Sequence, residues 1–146
     1  MVERQVRTSS PEETEALAAA FGRRLPWGSV VALYGELGAG KTVFARGLAR
    51  GLGVAEAVSS PTFTLVKEYP LAQGRWLYHL DLYRVDNSDA ALAFGVDEYI
   101  FCPDADTLLE WPERVEDLLP PGARRIHIRR DGEDFRLISG TDGDGT

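Results

Sequence analysis

The chemistry-bearing residues are densest in Gly35-Glu36-Leu37-Gly38-Ala39-Gly40-Lys41-Thr42, which fits the spacing G-x-x-x-x-G-K-[ST]. Glycines at 35, 38 and 40 let successive backbone amides turn toward one small volume. A lysine and a hydroxyl follow at once, adding a mobile cation and an oxygen ligand for a metal. Such a set suits a ligand with several negative charges close together, and a nucleotide's phosphates fit that description. In this reading Glu36, Leu37, Gly38, Ala39, Gly40, Lys41, Thr42 and Val43 hold the phosphates. Lys41 reaches the β- and γ-phosphates, and the Thr42 hydroxyl ligates magnesium. The lysine stands out in its own sequence: of 16 basic residues, only Lys41 and Lys67 are not arginine.

A phosphate-binding loop needs an acidic partner for magnesium, and the sequence offers two. Glu110 ends the apolar run Thr107-Leu108-Leu109 and would sit at the tip of a short strand. Asp81 lies in His79-Leu80-Asp81-Leu82-Tyr83-Arg84; if that stretch is extended, His79, Asp81 and Tyr83 share one face. The competing readings are a solvated strand face for His79 and Asp81, and an exposed turn acid before Pro112 for Glu110. Trp111 is a packing residue on composition alone. The segment Ser59-Ser60-Pro61-Thr62-Phe63 could offer hydroxyls to phosphate, magnesium or water, or form an ordinary turn.

The elements that must position these groups follow from patterning. Ser29 to Tyr34 is an apolar run of the kind found in a central strand covered on both faces. A helical stretch from Lys41 to about Leu52 follows the loop, with Phe44, Leu48 and Leu52 on one stripe. Gly47 and Gly51 weaken that helix by about 1 kcal/mol each relative to alanine, and they read as positions of close approach to the sheet. Upstream, Ser10-Pro11-Glu12-Glu13 starts another helix, with Ser10 as N-cap and Glu13 closing a capping box.

Residues 2–7 form a short strand, and 63–69 and 75–83 form two more. A short helix covers 88–94, a buried strand 107–110, and a helix begins at Pro112. Residues 124–130 and 135–139 make a closing hairpin turned at Asp131-Gly132. This predicts an α/β fold: one domain over residues 1–139, a mostly parallel central sheet flanked by helices, with antiparallel additions. Residues 140–146, which are Gly, Asp and Thr only, read as a disordered tail.

Composition sets the class. The 146 residues are 44% hydrophobic and 27% charged, as in a globular domain rather than a disordered chain. There is no apolar run of membrane-spanning length and no signal-like start, so a soluble, unsecreted protein is expected. Cys102 is the single cysteine, which excludes an internal disulfide and fits the reducing cytoplasm. The net charge of −7 argues against a surface that coats nucleic acid. The cluster Arg124, Arg125, Arg129 and Arg130 reads as a solvated hairpin in an arginine-biased chain.

Together the loop from Leu33 to Thr42, the segment Ser60-Pro61-Thr62-Phe63, the element His79-x-Asp81-x-Tyr83-Arg84 and the pair Glu110-Trp111 resemble the bacterial TsaE (YjeE) ATPases. The four motifs match in order over residues 10 to about 130. The resemblance implies a P-loop ATPase that works with the TsaB and TsaD proteins in making threonylcarbamoyladenosine in tRNA, with ATP or ADP and Mg²⁺ bound. It implies contact with tRNA only within the complex and no membrane. It gives Lys41 and Thr42 the phosphate and magnesium roles, Glu110 the magnesium acid, and Asp81 a catalytic or nucleotide-sensing role. Thr62 becomes a switch-like contact and Trp111 a functional position, with His79, Tyr83 and Arg84 beside them.

Two other readings remain open at this point. A small-molecule kinase would need a basic, phosphate-gripping lid, whereas residues 84–106 contain Asp86, Asp89, Asp97, Glu98, Asp104 and Asp106. A nucleotide-gated interaction module would use bound ATP rather than its hydrolysis. A GTPase is disfavoured because no N-K-x-D-type signature is present.

Overall fold

The strand Val30–Tyr34 (β2) is apolar on both sides because it lies inside a seven-stranded sheet with cover on both faces. A computed structural model describes residues 3–36, 38–56, 58 and 65–141. The other strands are Glu3–Thr8 (β1), Val66–Pro70 (β3), Trp76–Asp81 (β4), Ala105–Glu110 (β5), Arg124–Arg130 (β6) and Arg136–Thr141 (β7). The sheet order is β1-β7-β6-β2-β5-β4-β3. Strands β6, β2, β5 and β4 are parallel, so their C-terminal ends share one edge, while β3 on one side and β7 then β1 on the other add antiparallel. The expected α/β architecture, mostly parallel with antiparallel additions, is the one observed.

Helices Pro11–Arg24 (α1) and Lys41–Leu52 (α2) cover one face. Their core joins Ala18, Phe44 and Leu48 to Val31, Leu33, Leu77 and Leu108. On the opposite face Leu80, Leu82 and Leu109 pack with Ala91, Val96, Ile100 and Val115. These last four come from the short helices Ser88–Ala93 (α3) and Val96–Ile100 (α4) and from the 3-10 segment Pro112–Leu118. The helix read from Pro112 is thus a 3-10 segment, kinked at Val115 (φ −136°, ψ 31°). Helix α4 has only five residues, too few to register as a periodic pattern.

Helix α1 starts as read, with Ser10 Oγ accepting from Glu13 N at 3.1 Å. The returning bond is displaced by one residue, because Glu13 Oε1 accepts from Ser9 N at 2.7 Å rather than from the cap itself. Gly47 and Gly51 are positions of close approach, but to a different partner. An added Cβ would lie 2.3 Å from the Glu15 carbonyl oxygen and 2.2 Å from that of Ala19, both on α1. The two helices therefore touch backbone to backbone, and the sheet is not the neighbour that excludes a side chain.

Strand boundaries differ where backbone pairing does what side chains do not announce. Strand β5 begins at Ala105, two residues earlier than the apolar run, because buried Asp106 accepts from the amides of Gly28 and Ser29 at 2.9 Å each. Strand β7 takes in Gly140 and Thr141, which the composition had assigned to the tail. Gly140 is paired with Ile126 on one side and Arg4 on the other, and a ladder of amides and carbonyls needs no apolar side chain. Residues 142–146 lie outside the described residues.

Candidate functional site

Parallel pairing puts the tips of three strands side by side. Leu33 stands opposite Glu110, and Glu110 stands opposite Asp81. The glycine-rich loop leaves β2 at this edge, where open α/β sheets bind their ligands. It then enters α2 through Gly40, whose φ of +106° is left-handed, as is the +82° of Gly38. Among the described residues no side chain caps the start of α2. The first amides of a 12-residue helix are therefore left facing the loop, together with the positive end of the helix dipole.

Lys41, the first residue of α2, is 7% exposed. Among the described residues its Nζ has no hydrogen-bond partner, and it lies 4.1 Å from the centre of the Trp111 ring. Burial pulls the lysine's pKa below its ordinary value, while the charges of Glu110, Glu113 and Asp81 push it back up. A buried ammonium with an aromatic ring beside it and no hydrogen-bonded anion among the described residues is suited to take one.

The acids read from sequence come together here. Glu110 is 4% exposed, and its Oε2 lies 2.6 Å from Nε2 of His79, which is fully buried. His79 and Glu110 are diagonal neighbours on adjacent strands, since His79 pairs with Leu108 two residues before Glu110. Neither the solvated strand face nor the exposed turn acid describes them. Asp81 is half-buried and accepts from the Tyr83 amide at 3.0 Å; burial raises its pKa, with Glu110 raising it further.

Tyr83 lies beyond β4 and is half exposed, its ring 5.1 Å from that of Trp111. Trp111 takes a left-handed backbone (φ 60°, ψ 47°), unusual for a bulky residue, and this turn sets its ring over Lys41. Thr42 is exposed at the start of α2, Val43 is half-buried, and Glu36 is exposed with its carbonyl accepting from the Ala39 amide. Arg84 stands exposed in the turn after β4, and no bond among the described residues ties it to the loop. Leu37 and Thr62, with the rest of segment 59–64, lie outside the described residues.

These residues suit magnesium in the way a phosphate-bound ion requires. Magnesium is held by one or two carboxylates plus phosphate oxygens rather than by a protein cage. Among the described residues there is no cluster of three or more His, Cys, Asp or Glu side chains arranged to hold a metal alone. Glu110 and Asp81 stand opposite each other on neighbouring strands, and two carboxylates are the number such a shared ion takes from a protein.

Sequence reasoning passed over Arg136, the first residue of β7. Its Nε donates to the Ala39 carbonyl at 2.9 Å and its Nη2 to that of Gly38 at 3.4 Å. It lies 97 positions from Ala39 in an arginine-biased chain, so no local pattern marked it. The four hairpin arginines divide: Arg124 and Arg125 are half-buried, Arg125 donating to Glu116 at 3.1 Å, while Arg129 and Arg130 are exposed. Among the described residues no helix is long and apolar enough to cross a membrane.

Comparison with known proteins finds similarity over most of the chain. A family model described as threonylcarbamoyl adenosine biosynthesis protein TsaE matches residues 8–138. A tRNA threonylcarbamoyladenosine biosynthesis protein TsaE from Bacillus subtilis is 44% identical, covering 92% of this chain and 83% of the relative. One of the same name from Treponema pallidum is 41% identical, with coverages of 82% and 87%. The crystal structure of Bacillus subtilis YdiB superposes with a TM-score of 0.77 at 37% identity, covering 98% of this chain and 88% of that one.

Proposed function

The chain belongs to the TsaE family, and from that premise we propose that it is a magnesium-dependent ATP hydrolase. Membership ties it to tRNA threonylcarbamoyladenosine biosynthesis. In this reading it hydrolyses ATP slowly alone and faster when TsaB and TsaD complete the site. Its own contact with tRNA is indirect, through that complex.

The observation that carries the reading is the buried Lys41 ammonium, without a hydrogen-bond partner among the described residues, at the start of α2 behind a glycine-rich loop. Phosphate oxygens would satisfy that cation and suit the positive end of the helix. The reaction is attack by water on the γ-phosphorus with cleavage of its bond to the β–γ bridging oxygen, giving ADP and inorganic phosphate. Loop amides and Lys41 stabilise the charge that gathers on the departing group. Asp81 orients the attacking water, with Thr62 as a further contact. Thr42 and Glu110 would hold magnesium, which would supply positive charge against that of the phosphates. His79 fixes the Glu110 carboxylate, and Tyr83 and Trp111 back the lysine.

Steady-state ATP hydrolysis by the purified chain, alone and with its cognate TsaB–TsaD pair, tests this. Slow turnover that the pair stimulates supports the reading. Activity without stimulation removes the partnership, and no turnover in either condition leaves an ATP-binding switch in place of an enzyme.

A further inference from the structure

We propose that Arg136 is a positioning residue for the phosphate-binding loop, holding two of its peptide groups so that the Gly40 amide faces the anion. The inference rests on the loop binding nucleotide phosphates, and it assigns the group that keeps the loop in its binding shape.

Three donors of one guanidinium reach main-chain carbonyls: Nε to Ala39 at 2.9 Å, Nη2 to Gly38 at 3.4 Å and Nη1 to Phe135 at 3.0 Å. The first two belong to consecutive peptide groups of the loop. In a trans peptide the C=O and N–H point opposite ways. Holding the Ala39 carbonyl outward therefore turns the Gly40 N–H the other way, toward the concave side. The Ala39 N–H is already used, donating to the Glu36 carbonyl at 3.0 Å.

The loop needs an external hold because of the feature that lets it form. Gly38 and Gly40 flank Ala39 with φ of +82° and +106°, and glycine passes between backbone regions at little cost. A peptide that rotates would direct a carbonyl oxygen at the phosphates, replacing attraction with repulsion. The flat edge of an arginine spans two neighbouring carbonyls in a fixed orientation, whereas a lysine offers one point charge. The guanidinium also places a permanent positive charge beside a polyanion site.

Arg136 is itself firmly placed. Its backbone is paired with Arg130 of β6 on one side and Thr8 of β1 on the other. The hairpin before it is closed by the Asp131 amide donating to the Phe135 carbonyl at 3.0 Å. Arg7 of β1 reaches Asp131 at 3.1 Å and lies 3.8 Å from the centre of the Phe135 ring. The antiparallel edge of the sheet thus supports the loop from the side opposite the acids.

The test is calorimetric binding of ADP and ATP to the full chain, comparing wild type with Arg136→Met and Arg136→Lys. Arg136→Met should weaken ADP binding about tenfold or more, the scale of losing charged hydrogen bonds. Arg136→Lys, which keeps the charge and is less prone to unfold, should fall between. Amide NMR supplies a readout that mere loss of stability would not move. In both variants the Gly40 signal should broaden through peptide exchange while core signals hold their positions. Wild-type chain that binds neither nucleotide would overturn the phosphate reading of the loop. Wild type that binds, with variants that bind equally well and keep a sharp Gly40 signal, would overturn the role of Arg136 alone.

Discussion

Nε2 of His79 lies 2.6 Å from Oε2 of Glu110, with both side chains buried at the tips of neighbouring parallel strands. The pair fixes a carboxylate beside the phosphate-binding loop, although the other His79 ring nitrogen has no partner among the described residues. A buried histidine left half-satisfied points to a site whose geometry outweighs its contribution to stability. Replacing His79 by alanine leaves the Glu110 carboxylate one hydrogen bond short, at an expected cost of about 1–3 kcal/mol in urea melts.

Glu110→Ala should weaken ADP binding more in the presence of magnesium than in EDTA. Titration calorimetry in both conditions checks this. Equal losses would remove the magnesium role and leave Glu110 as a structural partner of His79.

Lys41→Ala should abolish ATP hydrolysis while leaving the fold intact. Its Nζ makes no hydrogen bond among the described residues, so its removal deletes a desolvation cost along with one ring contact and the attraction of Glu110, Glu113 and Asp81. These effects oppose one another, and the change in unfolding free energy should stay within about 1 kcal/mol. Undiminished hydrolysis would sink the assignment of the loop.

Gly51→Ala sets two effects of opposite sign against each other. Helix propensity alone favours alanine by about 1 kcal/mol. The new Cβ would lie 2.2 Å from the Ala19 carbonyl oxygen, a backbone atom that cannot rotate away. Forcing α1 and α2 apart should cost about 1–3 kcal/mol and win, so the denaturation midpoint should fall. A rise would show that the helices separate freely.

Asp106→Asn tests linkage away from the site. Burial raises the Asp106 carboxyl pKa, against the lowering by its bonds from Ser29 and Gly28. The folded state then holds the proton more tightly than the unfolded state does. This contribution to stability is present below the unfolded pKa and is lost as pH rises through the folded one. Asparagine keeps an acceptor oxygen and does not titrate. Stability of the variant relative to wild type should therefore climb as pH rises from about 4 through that window, then level off. A flat difference would mean that no such shift exists.

The sequence by itself determined the loop, its flanking strand and helix, and the identity of the two acids. These are local: glycine spacing, an apolar run and a helical stripe are each written within a dozen or so residues. The motif order was also enough to name the family. Only the tertiary structure decided how these pieces meet.

Parallel pairing set Asp81 opposite Glu110, and diagonal packing joined His79 to Glu110, contacts between residues about 30 positions apart. The partner of Gly47 and Gly51 was settled by the crossing of α1 over α2, which no helical pattern specifies. The same holds for Asp106 beneath the Gly28 and Ser29 amides, and for Gly140 paired on both sides. Arg136 is the clearest case, because one arginine among many is distinguished only by the carbonyls it reaches. Spacing along the chain reports what a segment can do, while long-range backbone pairing decides which segment it does it to.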